Sequence, residues 1–198
     1  MNRLMKMRLF LALTFCSVTA VAMAQEKVLP VDETGLYTFM DVAEVKGFSK
    51  KTLAANMRQF LENNAKMLKP EAEEGDSVFT AKGRMIIHKG SSAIGHPSAA
   101  ASYTFSVALR EGKYRLLMTG FVVTPYERDR YGNFVPTAVS TPLERMPDAL
   151  SKPTWTANMA FITAQCRKIA DQLKQRMGET QSEAKPGAKK PVAISTKW

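Results

Sequence analysis

The segment from residue 103 to residue 124 reads YTFSVALREGKYRLLMTGFVVT, and it decides the fold. Apolar and polar residues alternate along both halves, and Glu111-Gly112 separates the halves. Such alternation is typical of a strand with one buried face, because successive side chains point to opposite faces of a sheet. A glycine-containing pair between two such runs predicts a tight hairpin. The residues predicted to share one face of the second strand are Tyr114, Leu116, Met118 and Val122.

Two further strands are predicted upstream of this hairpin. An alternating run from Ser77 to Lys89 is expected to join the same sheet. A loop rich in glycine and serine then leads to the strand that starts at Ala101, with His88 and His96 near the two ends of the loop. Leu36 to Val45 is rich in β-branched and aromatic residues and predicts an N-terminal strand.

Two segments carry apolar residues at steps of three and four, which is the spacing of an amphipathic helix. The first follows Ser49, whose hydroxyl can accept a hydrogen bond from the first turn, and is expected to end at the breakers Pro70 and Gly75. Four acidic residues near its end are read as a solvated turn. The second helix is expected to start near Thr154. The predicted stripes are Leu53, Met57, Phe60, Leu61, Asn64 and Leu68 in the first helix, and Trp155, Met159, Ile162, Cys166, Ile169 and Leu173 in the second.

The predicted element order is therefore β-α-β-β-β-α. This order favours an α+β two-layer sandwich, in which an antiparallel sheet carries both helices on one face. We assign residues 36–177 to this domain and residues 25–35 to a leader. Residues 178–198 are polar and contain proline and lysine, which predicts a disordered basic tail.

The N-terminus is typical of a secretory signal peptide over residues 1–24. Three basic residues precede an uncharged apolar run, and Ala22-Met23-Ala24 then forms a small-x-small cleavage site before Gln25. The apolar run is shorter than the ~20 residues that span a bilayer, although an uncleaved membrane anchor is the alternative. Cys16 follows Phe15, which is a poor context for lipid attachment. We therefore expect an exported protein of the periplasm or cell envelope.

Cleavage after Ala24 would leave Cys166 as the single cysteine, so no intrachain disulfide can form. It would also remove three positive charges, so the formal net charge of +10 falls to +7. A basic surface favours anionic neighbours. We expect an unidentified envelope protein or glycan as the partner, with weak contact between the basic tail and an anionic membrane surface. Export argues against a nucleic acid.

No catalytic constellation is found in the sequence. Cys166 lies in the apolar stripe of the second helix, where a free cysteine usually behaves as a small hydrophobe. His88 and His96 are too few for a typical metal site, and no acid lies between Gly83 and Arg110. We predict no metal, no cofactor and no enzymatic activity. The alternative is a hydrolase that uses one of these histidines as a base.

The segment from Pro125 to Lys152 is long for a loop, and is expected either to carry function or to cover an edge of the sheet. It contains aromatic and arginine side chains, which are enriched at interfaces. We therefore predict a non-enzymatic binding module that uses this segment or a face of the sheet. The candidate interaction surface is Tyr126, Arg128, Arg130, Tyr131 and Phe134.

The stretch YTFMDVAEVKGFSKKTLAANMRQFLENN, residues 37–64, resembles the opening strand, turn and helix of secreted bacterial domains of unknown function, common in Bacteroidetes. Val45, Gly47, Phe48 and Ser49 match their turn, and FTAKGRMII, YTFSVALREGKYRLLMTGF and TPLERM also fit. The resemblance implies a TATA-binding-protein-like fold and brings no catalytic residues. A fold of that name on an exported protein does not imply DNA binding, since function belongs to sites.

Overall fold

The computed structural model describes residues 29–88, 95–145 and 152–179. The predicted signal peptide lies outside these residues, as does the predicted tail beyond Glu179. The helices are α1 (Lys50–Asn63) and α2 (Lys152–Met177). The strands are β1 (Phe39–Glu44), β2 (Leu68–Glu74), β3 (Val78–His88), β4 (Pro97–Arg110), β5 (Lys113–Arg128), β6 (Phe134–Pro136) and β7 (Thr141–Pro142).

The strands form one antiparallel sheet with the order β1-β5-β4-β3-β2, and β6 and β7 also pair with β5. Both helices pack against the sheet, α1 mainly on β4 and β2 and α2 on β3 and β1, and they contact each other. The predicted two-layer α+β sandwich is confirmed. In the described residues neither helix combines the length and the apolar character needed to cross a membrane.

The predicted hairpin is at the centre of the sheet. Arg110 pairs with Lys113, and Gly112 adopts a φ of 64° in the turn, a conformation that favours glycine. On β4 the alternation holds, because Tyr103, Phe105, Val107 and Leu109 are all buried. The helical stripe of α2 also faces this core, since all six of its predicted residues are buried.

The prediction that Val122 shares a face with Met118 is wrong. Between these residues β5 contains a bulge, in which Gly120 and Phe121 together oppose Tyr103 alone. Gly120 has a φ of 64°, and the extra residue shifts the alternation by one. Phe121 therefore enters the core and its ring stacks on that of Tyr103, with 5.5 Å between the centroids. Val122 is only partly buried.

The prediction that α1 extends to Leu68 is also wrong. The hydroxyl of Ser49 does accept a hydrogen bond from the Thr52 N–H at 3.2 Å, as expected of an N-cap. The helix ends at Asn63, however, and Leu68 begins strand β2 at the edge of the sheet. Every residue of β2 (LKPEAEE) except Leu68 is exposed, so the sequence shows no alternation of polar and apolar residues that would indicate a strand. Proline and charge are typical of an edge strand, because they discourage pairing with another chain.

The acidic residues predicted to form a solvated turn lie mostly on β2. The Arg58 guanidinium donates hydrogen bonds to the carboxylates of Glu73 and Asp76, which ties α1 to the β2–β3 turn. These groups are exposed, so the ion pairs contribute little to stability.

The middle of the sheet depends on a close contact between Gly83 and Tyr103. The two residues are directly opposite each other in β3 and β4, and Tyr103 is 1% exposed. A β-carbon on Gly83 would lie 2.1 Å from the Tyr103 ring. The glycine therefore makes the space in which the tyrosine ring lies flat on its neighbouring strand.

We predict that Gly83→Ala lowers the free energy of unfolding by about 1–3 kcal/mol, because the added methyl group overpacks the core. Lys82→Ala is the matched control, since Lys82 is exposed on the same strand, and should change it by less than about 0.5 kcal/mol. Urea denaturation measures both values. Combining Gly83→Ala with Tyr103→Leu should cost less than the sum of the two single changes; additive losses would contradict the proposed contact.

Burial raises the pKa of the Cys166 thiol to about 12, and the side chain is 0% exposed. At pH 8 we expect the folded chain beginning at Gln25 to be inert to a disulfide reagent such as dithionitrobenzoate, because the thiolate is the reacting form. Unfolding in guanidinium should release the thiol for rapid reaction. Rapid labelling of the folded chain would contradict this placement.

Candidate functional site

A cavity of about 990 Å³ opens at the end of the sheet where β3 stops and β4 begins. We call it the end pocket. Its walls come from the ends of β3, β4 and β5, from β6, and from the first turns of α2. Apolar side chains form much of the lining, namely Ile87, Ala99, Val123, Pro125, Phe134 and Phe161.

The cavity exists because β4 changes from large to small side chains along its buried face. Tyr103 and Phe105 fill the space under the middle of the sheet, whereas Ala99 and Ala101 occupy the corresponding positions nearer the pocket. Alanine leaves unfilled the volume that an aromatic ring would take. The strand begins at Pro97, before the predicted start at Ala101, so these alanines belong to the sheet and not to a loop.

Cross-strand pairs form the floor of the end pocket. Ile87 pairs with Ala99, and Ala99 pairs in turn with Pro125. Val123 lies beside them on β5 and is 1% exposed. Since the register of an antiparallel sheet fixes these neighbours, the floor is a rigid part of the scaffold.

At one wall the Phe134 ring contacts an arginine and a histidine side chain. The Arg128 guanidinium lies over its ring at 5.0 Å from the centroid, and the His96 imidazole stacks on the ring at 4.9 Å between centroids. Attraction between a cation and an aromatic face orients the arginine without neutralising it. Among the described residues Arg128 makes no ion pair.

Asn158 supplies a buried polar group on the opposite, helical wall. It lies in α2 and lines the pocket together with Ala157 and Phe161. It is 7% exposed, yet its side chain forms no hydrogen bond within the described part of the chain. Its amide atoms are not enclosed, because within the described residues the Tyr114 hydroxyl alone is a fully buried side-chain polar atom without a partner. The amide is therefore accessible to a molecule in the cavity.

The predicted interaction surface is brought together only in part. Tyr126, Arg128 and Phe134 line the end pocket, and the Tyr126 hydroxyl accepts a hydrogen bond from Arg84 at 2.8 Å. Arg130 and Tyr131 instead lie in the turn between β5 and β6, where Tyr131 is 74% exposed and the arginine lies over its ring.

Asp129 shapes that turn. Its carboxylate accepts hydrogen bonds from the backbone N–H groups of Tyr131 and Asn133, each at 2.8 Å. These bonds stabilise the charged carboxylate and lower its pKa. The turn therefore carries Arg130 and Tyr131 outside the pocket lining while β5 and β6 keep Arg128 and Phe134 inside it.

Both histidines border the end pocket, but their surroundings differ from a metal or catalytic site. The Nδ1 atom of His88 lies 2.9 Å from the Gly95 carbonyl oxygen, so it carries the proton and donates. His96 is exposed and rests on Phe134. Within residues 29–88, 95–145 and 152–179 no three metal-binding side chains cluster. Cys166 lines neither this cavity nor a second one at the hairpin end of the sheet.

The second cavity is smaller, about 220 Å³, and lies on the other end of the sheet, near the β4–β5 turn. Arg110, Lys113 and Arg115 surround it. It lacks the deep apolar floor of the end pocket, so it is the weaker candidate for a small-molecule site.

Sequence reasoning missed the helical wall and the floor of the end pocket. Two signals for them were available: the run SAAAS, residues 98–102, places small side chains just before and at the predicted start of a strand, and Asn158 is a polar residue beside the apolar stripe of α2. Neither signal shows by itself that the two segments face each other.

No protein-family model matches the sequence, and no curated protein matches it. Two solved structures are similar in fold. One is a DUF4468 family protein from Bacteroides ovatus, with a TM-score of 0.59 and 11% identity, and the match covers 80% of this chain and 95% of that one. The other is a TBP-like protein from Parabacteroides distasonis, with a TM-score of 0.60 and 8% identity, and the match covers 78% of this chain and 100% of that one.

At such low identity the comparisons show the fold alone. They confirm the resemblance to Bacteroidetes domains of unknown function with a TATA-binding-protein-like fold, which the opening strand, turn and helix had indicated. This chain therefore has a TATA-binding-protein-like α+β fold, and its function must be argued from its own residues.

Proposed function

We propose that this protein is an exported, non-enzymatic binding module that holds a small ligand in the end pocket. The observation that carries the proposal is the pocket itself: a cavity of about 990 Å³ with an apolar floor and a few polar groups at its walls. Ligand sites typically have volumes of about 300–1,000 Å³ and this distribution of side chains.

The polar groups of the end pocket are suited to holding a ligand. Arg128 is oriented by Phe134, and the Asn158 amide lines the pocket without a hydrogen bond to any described residue, so both can form directed hydrogen bonds to a bound molecule. Nucleophilic catalysis would need a nucleophile within hydrogen-bond reach of a base. Among the described residues neither histidine forms a hydrogen bond with a serine, threonine or cysteine. These features favour binding over the alternative of a hydrolase.

Export is proposed from the N-terminal sequence. A basic start, an apolar run and the Ala22-Met23-Ala24 site form the pattern that signal peptidases recognise. The domain would then meet its ligand in the periplasm or envelope.

Ala157→Trp should block ligand capture. Ala157 is an exposed residue that lines the pocket, so an indole there fills the cavity while the core stays intact. Ala164→Trp is the matched control, because Ala164 is also exposed on α2 and does not line the pocket. The tagged proteins are recovered from envelope extracts of the native host, and co-purifying small molecules are identified by mass spectrometry.

We expect compounds enriched with the wild type and with Ala164→Trp that are lost with Ala157→Trp. An unchanged set of compounds with Ala157→Trp, or no enriched compound with any variant, would contradict the proposal. Melting curves of the three proteins establish that all of them are folded.

Expression of the full chain should yield a mature protein that begins at Gln25 and is released with the periplasmic fraction. Ala24→Lys should retain the precursor in the membrane fraction, because the cleavage site requires a small residue at that position. N-terminal sequencing and fractionation measure both outcomes. A cytoplasmic, uncleaved wild-type protein would argue against export and would leave the pocket-based binding proposal to its own test.

A further inference from the structure

We infer that the ligand of the end pocket is an amphipathic anion, with one carboxylate or phosphate head on a long apolar tail. The inference rests on the proposed binding function and names the ligand class of the same site. Three features of the described residues carry it: the apolar lining, the arginine without an ion pair, and an amide on the helical wall that forms no hydrogen bond with the described residues.

The floor fits an apolar tail. Ile87, Ala99 and Val123 are each at most 3% exposed, and they form a continuous surface across three paired strands. Phe161 adds an aromatic wall from α2. Because these three side chains are already almost out of water, the apolar area that a tail would cover belongs mainly to the half-buried Pro125, Phe134 and Phe161. Covering it is favourable in proportion to the area removed from water.

Arg128 fits an anionic head. Its guanidinium is fixed over Phe134 and makes no ion pair with any described residue. None of the described residues that line the end pocket is acidic. Because a guanidinium presents a planar fork of donors, it matches a carboxylate or a phosphate better than a neutral group.

Asn158 and the start of α2 offer further groups for an anionic head on the helical wall of the pocket. Asn158 is 7% exposed as a residue, lines the cavity and forms no side-chain hydrogen bond with the described residues. Its amide N–H can donate to an acidic head group. The first turn of α2, which contributes Pro153 and Thr154 to the pocket, holds no acidic residue. The positive end of a helix dipole favours an anion, so this end of α2 suits an anionic head group.

A polar ligand such as a sugar fits less well. Recognition of several hydroxyl groups needs several converging hydrogen-bonding side chains. The floor of the end pocket offers Ile87, Ala99, Val123 and Pro125 instead. The charged and amide groups lie at the walls, which separates a head site from a tail site.

Competition binding with the complete mature chain tests the inference. The fluorescent fatty acid cis-parinarate is bound first and then displaced by dodecanoate, dodecyl phosphate, dodecanol or butyrate, each below its micelle concentration. We expect one or both of the long-chain anions to displace the probe at about tenfold lower concentration than dodecanol, since a charge-assisted hydrogen bond contributes roughly that factor. Butyrate should displace little, because it lacks the tail. The stronger of the two anions distinguishes a fatty acid from a phosphate-bearing lipid.

Variants assign the head site. Arg128→Gln should weaken binding of the better anion about tenfold and leave dodecanol unchanged. Arg130→Gln is the matched control, because Arg130 is two residues away in the turn and does not line the pocket. Asn158→Leu should also weaken binding of the anion. Ala157→Trp should abolish binding of all long-chain compounds. Melting temperatures close to that of the wild type establish that each variant is folded.

Equal displacement by dodecanol and by both anions would overturn the inference that the ligand has an anionic head. Displacement by butyrate as strong as that by the long-chain anions would overturn the inference that it has an apolar tail. An equal loss with Arg128→Gln and Arg130→Gln would overturn the assignment to Arg128. If no probe binds but a compound of another class co-purifies and is lost with Ala157→Trp, the ligand class is wrong and the proposed function stands. If no probe binds and nothing co-purifies, both are overturned.

Discussion

The ring of Tyr103 lies across Gly83 at the centre of the sheet, and the rest of the molecule is arranged around this contact. Because Gly83 has no β-carbon, the Tyr103 ring occupies the space that two facing side chains on β3 and β4 would otherwise fill. Phe121 stacks on the same ring, because the bulge at Gly120 turns it inward. Three central strands are thus joined by one packed cluster, and the two helices cover it.

Away from this cluster the core face of β4 becomes smaller, and the consequence is a cavity. The first turns of α2 lie over this end of the sheet, and the small side chain of Ala99 leaves space between them and the sheet. A large open cavity with many apolar side chains in its lining is the kind of place where proteins bind small ligands. The same gradient of side-chain size that stabilises the middle of the domain creates its candidate site.

The segment after β5 serves both of the roles that its length suggested. Its short strands β6 and β7 pair with β5 beyond Met118, where the pairing with β1 ends, and so cover an otherwise open stretch of backbone. Glu144, just after β7, connects this segment to the residues before β1, since its carboxylate accepts a hydrogen bond from the Tyr37 N–H at 2.8 Å. The same pairing places Phe134 beside Arg128. The segment therefore protects the edge of β5 and also forms a wall of the end pocket.

The sequence alone determined the hairpin, the helical stripe of α2 and the fold class, because alternation and helical spacing are local properties that burial enforces directly. It did not determine the end of α1 or the phase of β5, since a polar edge strand hides its alternation and one glycine bulge shifts it. The candidate site was harder still to predict from the sequence. Tyr126, Arg128 and Phe134 could be selected by residue type, but Asn158, Ala99 and Ile87 become a site only when α2 crosses the end of the sheet. That arrangement depends on contacts between segments distant in the chain, which only the tertiary structure decides.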